Sequence, residues 1–421
     1  MVKYTVISRT LIGDLGLHAF YINNNHLLYG NNATAALDED RLSSLPLELI
    51  IQILSRVDTK LAIQTCLLLF PRWKLIWTLM PCLNFSSNGF KTLPKFSEFV
   101  THVLSHRNHQ VEVSSVNLYI HGADTENFMR EITNYTISHN VQELILDVRP
   151  KNEFPSYLFR SQTLKHLTLR TSSFGPCLTP RTPWDFPALT TLYLKDIWLC
   201  DDECKSLDLF SNCVNLRNFT LELVIVKAKV FKINTPRLAN LTLVNYRGYN
   251  VIKVIAHQLE NLTIIECSIN DLKIPSGLSS FCYKGYYPPH WFRNSYFSVN
   301  KVSVSLRLYG SKRHEDAFRI INMLQDLCSS VRFLTLNLDI VECISSFPEL
   351  LSAQPSPFRN LISLNINSGS RDTCKFEMST EARNFFFEYS PNATFFMKVP
   401  TPSTSTQVSN QMPRRVNHLR S

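Results

Sequence analysis

Cysteine, carboxylate and histidine side chains occur at several places where their chemistry could support metal binding or catalysis. Cys200, Cys204 and Cys213 could supply thiolate ligands, but their spacing matches no standard zinc pattern and no His-x₃-His pair follows. The acidic runs at 201–203 and 314–316 have no partnered base, and such runs are typical of solvated loops. The sequence therefore predicts no metal site and no acid–base pair.

Motifs that bind phosphate or activate a nucleophile are also missing from the sequence. The glycines of GDLG at 13–16 lack the lysine and the strand-to-helix context of a phosphate-binding loop. Nothing resembles a nucleophile elbow or a His-Glu-x-x-His zinc helix. We therefore predict that the chain is not an enzyme and uses no cofactor.

Composition places the chain among globular proteins and argues against some classes of partner. Its 421 residues, 44% hydrophobic and 18% charged, can form several domains or one repeat array with an appendage. The formal net charge of +9 is spread along the chain, which argues against a nucleic-acid-binding function. Because no apolar run is long enough for a signal peptide or a membrane span, we expect no membrane association and an intracellular location, in the cytoplasm, the nucleus or both, with reduced thiols.

An internal repeat predicts the elements that position the polar side chains. The frame apolar-x-x-apolar-x-apolar recurs along the chain: VSSVNL at 113, VQELIL at 141, LKHLTL at 164, LTTLYL at 189, LRNFTL at 216, LANLTL at 238, LENLTI at 259, VRFLTL at 331 and LISLNI at 361. Successive copies from 141 to 259 lie 21 to 27 residues apart, within the range of leucine-rich repeats. This spacing predicts an α/β fold, an irregular solenoid with loops or short helical turns between its strands.

Alternation along each repeat strand separates core side chains from exposed ones. In LANLTL, Leu241 and Leu243 would point inward, whereas Asn240 and Thr242 would lie on the exposed concave face. The Asn-x-Thr triplets are therefore interpreted as strand alternation rather than as glycosylation sites. By this alternation the concave face carries a set of polar candidate contacts: Glu143, Asp147, His166, Arg170, Tyr193, Lys195, Asn218, Glu222, Asn240 and Asn261.

The stretch LPLELIIQILSRV at 45–57 carries more apolar surface than one core contact uses. On a helix its Leu, Ile and Val side chains span roughly 200°, about twice the stripe of a one-sided surface helix. Either this helix is buried in its own domain or a second protein covers part of it. We predict further helices from Lys60 to about Phe70, from RWKLIW at 72–77 onward, and over 96–108.

Residues 42–85 resemble an F-box, in the run LPLELIIQILSRV, the following Asp-Thr-Lys turn and the pair Arg72-Trp73. Together with the repeats and the ending EARNFFFEYSPNATFFM at 381–397, they resemble the plant-type F-box/leucine-rich-repeat family. The resemblance implies a three-helix F-box that docks on the Skp-type adaptor of an SCF-type cullin–RING ubiquitin ligase, while the repeats bind the protein to be ubiquitinated. It assigns adaptor contact and F-box packing to Leu45, Pro46, Leu49, Ile50, Ile53, Leu54 and Val57, and the F-box core to Trp73 and Trp77.

One departure from the family pattern leaves an alternative open. Trp73 follows Thr65 by eight positions where the family has seven, and Phe70 stands where the family has Ser. A leucine-rich-repeat scaffold with a decayed F-box and no ubiquitination role is therefore the second interpretation. The predicted segments are a loosely ordered extension at 1–40, an F-box at 41–85, a connecting helix at 86–110, a solenoid at 111–398 and a disordered basic tail at 399–421.

Overall fold

The computed structural model of the chain describes most of the region between Leu45 and Lys398. The described residues are 45–68, 73–121, 126–148, 154–171, 177–178, 183–200, 205–289, 299–308, 313–327, 329–368 and 377–398. They fall into two compact units, one containing the described residues up to Gly285 and the other containing Tyr286–Pro289 and those from Val299 onward. The predicted extension at 1–40 and the tail at 399–421 lie outside the described residues.

The first unit begins with two α-helices, α1 (Leu47–Leu54) and α2 (Thr59–Leu68). Asp58 caps α2, because its Oδ1 accepts a hydrogen bond from the Lys60 amide at 2.9 Å. The third helix predicted from 72–77 is a four-residue 3₁₀ turn, Ile76–Leu79. The three-helix F-box therefore stays a prediction. The α/β fold class is confirmed by the parallel strands and helices of the two units, given below.

Nine parallel strands form the repeat sheet of the first unit. In spatial order they are β1 (Cys82–Ser86), β2 (Ser115–Tyr119), β3 (Glu143–Val148), β4 (His166–Thr171), β6 (Thr191–Lys195), β9 (Asn218–Glu222), β12 (Asn240–Val244), β14 (Asn261–Ile265) and β16 (Ser280–Gly285). The predicted alternation is confirmed in β12, where Leu241 and Leu243 are buried and Asn240 and Thr242 are partly exposed.

The turns after four successive repeat strands share one backbone geometry. Asp196, Leu223, Asn245 and Glu266 follow β6, β9, β12 and β14, and each has a φ between 50° and 55°. Each amide donates to a carbonyl at the end of the next strand, as from Leu223 to Val244 at 2.8 Å. The left-handed turn therefore keeps neighbouring coils in register.

Two smaller parallel sheets form a second layer beside part of the repeat sheet. One contains β5 (Cys177–Leu178), β7 (Trp198–Cys200) and β10 (Ile225–Lys227), and the other contains β8 (Ser206–Asp208), β11 (Val230–Asn234), β13 (Val251–Ile255) and β15 (Asp271–Lys273). The Phe210 ring joins the layers, since its centroid lies 4.6 Å from Phe219 of β9 and 6.2 Å from Phe231 of β11. The loops or helical turns predicted here are wrong for these segments, because alternating β-branched and aromatic residues favour strands.

Helices and 3₁₀ turns complete the first unit. They are the helices α3 (Leu93–His106) and α4 (Glu126–Ser138) and the 3₁₀ turns Ser87–Gly89 and Ser156–Arg160. Phe96, Phe99, Val100, Val103 and Leu104 are the buried face of α3, as their helical spacing predicts.

The second unit repeats the strand-and-helix plan on a smaller scale. Its parallel strands are β17 (Lys301–Leu306), β18 (Phe333–Asn337), β19 (Ser363–Asn367) and β20 (Thr394–Lys398), and its helices are α5 (His314–Leu327), α6 (Leu338–Ser345), α7 (Pro348–Ser352) and α8 (Thr380–Phe387). Phe358, Phe385 and Phe386 pack together with ring centroids 5.3 to 5.7 Å apart. No helix within the described ranges has the length and apolar character needed to cross a membrane.

The cysteines depart from the expectation of uniformly reduced thiols. Cys200 is disulfide-bonded. Six other cysteines of the described residues form no disulfide: Cys66, Cys82, Cys213, Cys267, Cys282 and Cys343. The expectation is therefore wrong at Cys200.

Candidate functional site

Helix α1 divides its apolar side chains between the core and the surface. Ile50 and Leu54 are buried, at 6% and 5% exposure. Leu47, Leu49 and Ile53 are 45 to 46% exposed, although all three are large aliphatic side chains. Part of the excess apolar surface in the sequence therefore lies in solvent, at the exposed side chains of Leu47, Leu49 and Ile53, which we call together the α1 apolar face.

The remaining residues predicted to contact an adaptor lie at both ends of α1. Pro46 is exposed and precedes the helix, while Leu45 and Val57 are partly exposed. The structure thus places Pro46, Leu49 and Ile53 at the surface and Ile50 and Leu54 in the core. The sequence alone does not make this division.

A cleft of about 920 Å³ opens beside α1. Apolar side chains of α1 and of the segment 73–79 form one part of its lining, and polar residues after α3 form another: Leu45, Leu47, Ile50, Trp73, Leu75, Ile76, Trp77, Thr78, Leu79, His106, Arg107, Asn108, His109 and Gln110. Trp73 and Trp77 are each only 3% exposed, so their rings serve mainly as packing under the cleft. Leu75, at 43% exposure, extends the apolar surface, and its position was not predicted.

Asn84 of β1 ties the α1–α2 turn to the repeat sheet. Its Nδ2 donates to the carbonyls of Ser55 at 2.9 Å and Val57 at 3.0 Å. Its amide donates to the Thr59 hydroxyl at 2.8 Å, and its Oδ1 accepts from Asn117 Nδ2 of β2 at 2.6 Å. Sequence reasoning missed this residue, because its partners are 25 to 33 positions away in the chain.

The ten residues predicted for target binding lie on the repeat sheet in three rows that cross its strands. Glu143, His166, Asn218, Asn240 and Asn261 share the row at the strand beginnings, and Asp147, Arg170, Lys195 and Glu222 share the row at the strand ends. Tyr193 lies in the row between them. The structure therefore brings these residues onto one surface.

The row at the strand beginnings contains an amide ladder. Asn240 Nδ2 donates to Asn218 Oδ1 at 2.7 Å, and Asn261 Nδ2 donates to Asn240 Oδ1 at the same distance. Asn218 Nδ2 continues the ladder to the Thr191 hydroxyl at 3.3 Å. The ladder fixes the amide groups as an ordered, uncharged surface.

Three residues of the row at the strand ends, Arg170, Lys195 and Glu222, form a charged cluster with Tyr193 of the adjacent row. Lys195 Nζ lies 2.7 Å from Glu222 Oε1, and the Tyr193 hydroxyl donates to Glu222 Oε2. The Arg170 guanidinium lies 5.2 Å from the centroid of the Tyr193 ring, at cation–π distance. Sequence reasoning named these residues singly and did not predict their pairing.

The hydrogen bonds of this cluster shift two pKa values in opposite directions. Those from Lys195 and Tyr193 lower the pKa of Glu222 below its ordinary value of 4.5. Burial, together with the hydrogen bond to Glu222, raises the pKa of Tyr193 to about 12. At neutral pH the cluster therefore holds an ionised carboxylate and a neutral phenol, which suits it to recognition by charge and hydrogen bonding.

Burial keeps three thiols of the described residues protonated. It raises the pKa of the Cys66 and Cys267 thiols to about 11 and that of Cys213 to about 12, so these thiols are neutral at physiological pH. No group of three or more metal-ligating side chains occurs among the described residues.

Comparison with known proteins finds a family model and several relatives that are similar to this chain. Residues 130–276 match a family model described as the leucine-rich repeats of FBD-associated F-box protein At5g56370. Three relatives from Arabidopsis thaliana are similar to the chain. They are putative F-box/FBD/LRR-repeat protein At4g03220, 27% identical over 78% of this chain, putative F-box/FBD/LRR-repeat protein At4g13965, 27% identical over 58%, and F-box/FBD/LRR-repeat protein At3g51530, 32% identical over 44%.

The alignments cover 68%, 62% and 40% of the lengths of these three relatives. Their names confirm that the chain resembles the plant F-box/leucine-rich-repeat proteins, as the sequence predicts. None of the three relatives is named as an enzyme.

Proposed function

We propose that this relative of the plant F-box/leucine-rich-repeat proteins is the substrate-recognition subunit of an SCF-type cullin–RING ubiquitin ligase. Its α1 apolar face would dock on a Skp-type adaptor, and the polar rows of the repeat sheet would hold the target protein. The observation that carries the proposal is the exposure of Leu47, Leu49 and Ile53 on a helix that resembles the first helix of an F-box.

The α1 apolar face has the composition of a protein–protein contact. Large aliphatic side chains gain free energy when a partner removes them from water, at about 25 cal/mol per Å² of apolar area. Ile50 and Leu54 fix the helix from its inner side, so its exposed side chains are already positioned for a partner. Because the helix is already ordered, little of its backbone conformational entropy would be lost when a partner covers the α1 apolar face.

The attachment of α1 and α2 to the repeat sheet suits a subunit that holds a target protein near the other subunits of a ligase. In such a ligase the transfer chemistry belongs to other subunits, and this chain would hold the target near them. The three hydrogen bonds from Asn84 to the segment 55–59 fix that segment against β1. Adaptor contact and target contact would thus be held in a defined relation, in the cytoplasm, the nucleus or both.

The polar rows of the repeat sheet suit a target with both charged and neutral polar groups. The charged cluster contains the cations Arg170 and Lys195 and the carboxylate Glu222, and the Asn218–Asn261 amide ladder carries no charge. A target that matches both rows would present mixed charges and amide or hydroxyl groups.

The proposal is tested by measuring how tightly the full chain binds a recombinant Skp-type adaptor. We expect Leu49→Glu combined with Ile53→Glu to weaken binding at least tenfold, because two exposed apolar contacts become charged. Both side chains are nearly half exposed, so the substitutions leave the core intact. Surface plasmon resonance with immobilised adaptor gives the affinity.

Val214→Glu combined with Tyr249→Glu is the matched control, because it adds the same two charges at side chains that are 44% and 72% exposed and lie outside α1. It should bind the adaptor as the wild-type chain does. A wild-type chain that shows no adaptor binding would overturn the proposal in favour of a repeat scaffold with a decayed F-box. Equal losses in the control and the α1 variant would also contradict it.

A further inference from the structure

Three lysines lie in register on the second layer of the first unit. The segments VFKIN, VIKVI and DLKIP place Lys232, Lys253 and Lys273 at intervals of 21 and 20 residues. Strands β11, β13 and β15 pair so that Lys232 is opposite Lys253 and Lys253 is opposite Lys273. We call these three side chains the lysine ladder.

The lysines point away from the core, because their strand neighbours point into it. Phe231, Ile252 and Leu272 occupy the positions just before the lysines and are no more than 2% exposed. Lys253 and Lys273 are exposed, and Lys232 is partly exposed. The ladder is therefore available to a partner in solution.

Stacking like charges across neighbouring strands disfavours the fold. Paired strands lie about 4.8 Å apart, and like charges directly opposite one another are destabilising. Asp208 of β8 lies opposite Lys232 and offsets part of its charge. Asp271, two positions before Lys273 on the same face of β15, offsets part of the remaining charge, although neither Lys253 nor Lys273 forms an ion pair within the described residues.

Protection of a sheet edge does not account for the ladder. A lysine on an edge strand blocks unwanted pairing with other chains, and this explanation suits Lys273 on β15. Lys232 and Lys253, however, lie on the interior strands β11 and β13. The presence of lysine at positions 232 and 253 therefore needs another explanation.

The residues in the rows on either side of the lysine ladder indicate which chemical groups a partner would present. One flanking row contains Val230 and Val251, with Ser206 and Asp271 at its ends, and the other contains Asn234 and Ile255. The sheet carries no arginine, the residue whose planar fork matches phosphate best. The three lysines lie beside partly exposed aliphatic side chains and outnumber the two aspartates, Asp208 and Asp271, so the surface complements carboxylates alternating with aliphatic side chains better than it complements a run of phosphates.

We propose that the lysine ladder is a docking surface for an acidic segment of a partner protein, in which Glu or Asp alternates with aliphatic residues. The carboxylates would pair with Lys232, Lys253 and Lys273 and relieve their mutual repulsion. The aliphatic side chains of the segment would cover Val230, Val251 and Ile255. This contact does not depend on the proposed adaptor docking, because it uses neither α1 nor the repeat sheet.

The test uses the full chain and a fluorescein-labelled peptide of six alternating Glu-Val pairs. Fluorescence anisotropy should show saturable binding that weakens as salt rises. Lys253→Glu combined with Lys273→Glu should weaken it at least tenfold. Lys165→Glu combined with Lys301→Glu is the control of equal net charge, and it should bind as the wild-type chain does, since both residues are exposed and outside the ladder.

Three outcomes would overturn the inference. One is an equal loss in the ladder and control variants, which would make the binding a net-charge effect. Another is unchanged affinity for a peptide with Gln in place of Glu. The third is tighter ladder-dependent binding of a single-stranded oligonucleotide, or of vesicles containing phosphatidylserine, because either would assign the ladder to phosphates. Circular dichroism of each variant checks that the fold is intact.

Discussion

At the residue scale, hydrogen bonding determines how the charged cluster of the repeat sheet behaves. Glu222 receives a hydrogen bond from Lys195 on one oxygen and from Tyr193 on the other. Arg170 packs against the Tyr193 ring, so three strands contribute to one polar group. The sequence predicts which of these side chains are exposed, but their pairing depends on how three separate coils align.

The lowered pKa of Glu222 predicts how the cluster responds to acid. A depressed pKa in the folded state adds stability above the unfolded pKa, near 4.5, and this stability is lost as pH falls through the folded pKa. Glu222→Gln should therefore lower the melting temperature at pH 7, and the difference from wild type should shrink below about pH 4.5. Thermal unfolding from pH 7 to pH 3 measures it. A difference that stays constant across this range would contradict the prediction.

At the element scale, the two-residue alternation of the strands decides most of the fold. The pattern of LANLTL by itself places Leu241 and Leu243 inward and Asn240 and Thr242 outward, and β12 has this arrangement. Helical spacing predicts a third helix from 72–77 onward, where the described residues contain a 3₁₀ turn at Ile76–Leu79. Ile76–Leu79 lies close before Pro81, and so short a segment ending at a proline favours a 3₁₀ turn over an α-helix.

The second layer was predictable in part and was missed for a physical reason. VFKIN and VIKVI alternate as strands do, but three to five residues are too few for periodicity to identify a strand. The contacts of Asn84 could not be predicted at all, because a single asparagine in MPCLNF carries no pattern. Strands that recur in a long repeat of one period can thus be predicted from the sequence, whereas single long-range contacts cannot.

Inward and outward positions of one repeat strand should respond very differently to the same substitution. Leu241→Ala removes a side chain that is 1% exposed and leaves a cavity, so we expect it to lower the free energy of unfolding by about 2–5 kcal/mol. Thr242→Ala, on the adjacent exposed position, should change it by less than about 0.5 kcal/mol. Urea denaturation followed by circular dichroism measures both. Similar losses in the two variants would mean that the alternation does not separate core from surface.

At the scale of the whole molecule, the described structure offers separate surfaces for separate partners. The α1 apolar face would contact an adaptor, the polar rows would contact a target, and the lysine ladder would contact an acidic segment. For the first two to act together, the helices that carry one must be fixed to the sheet that carries the other. Asn84 provides a direct connection of this kind within the first unit.

Loss of the Asn84 side chain should loosen α1 and α2 without unfolding the repeat sheet. Asn84→Ala removes the donor to Ser55 and Val57 and the acceptor of Asn117, at a cost of about 1–3 kcal/mol. Hydrogen exchange should quicken at the amides of residues 50–62 and stay unchanged in β9, β12 and β14, because local opening is governed by local contacts. Asn88→Ala, a change to an exposed asparagine near by, is the control and should leave both regions as they are. Faster exchange throughout the first unit would show instead that Asn84 supports the fold as a whole, and no change would show that packing alone holds the helices on the sheet.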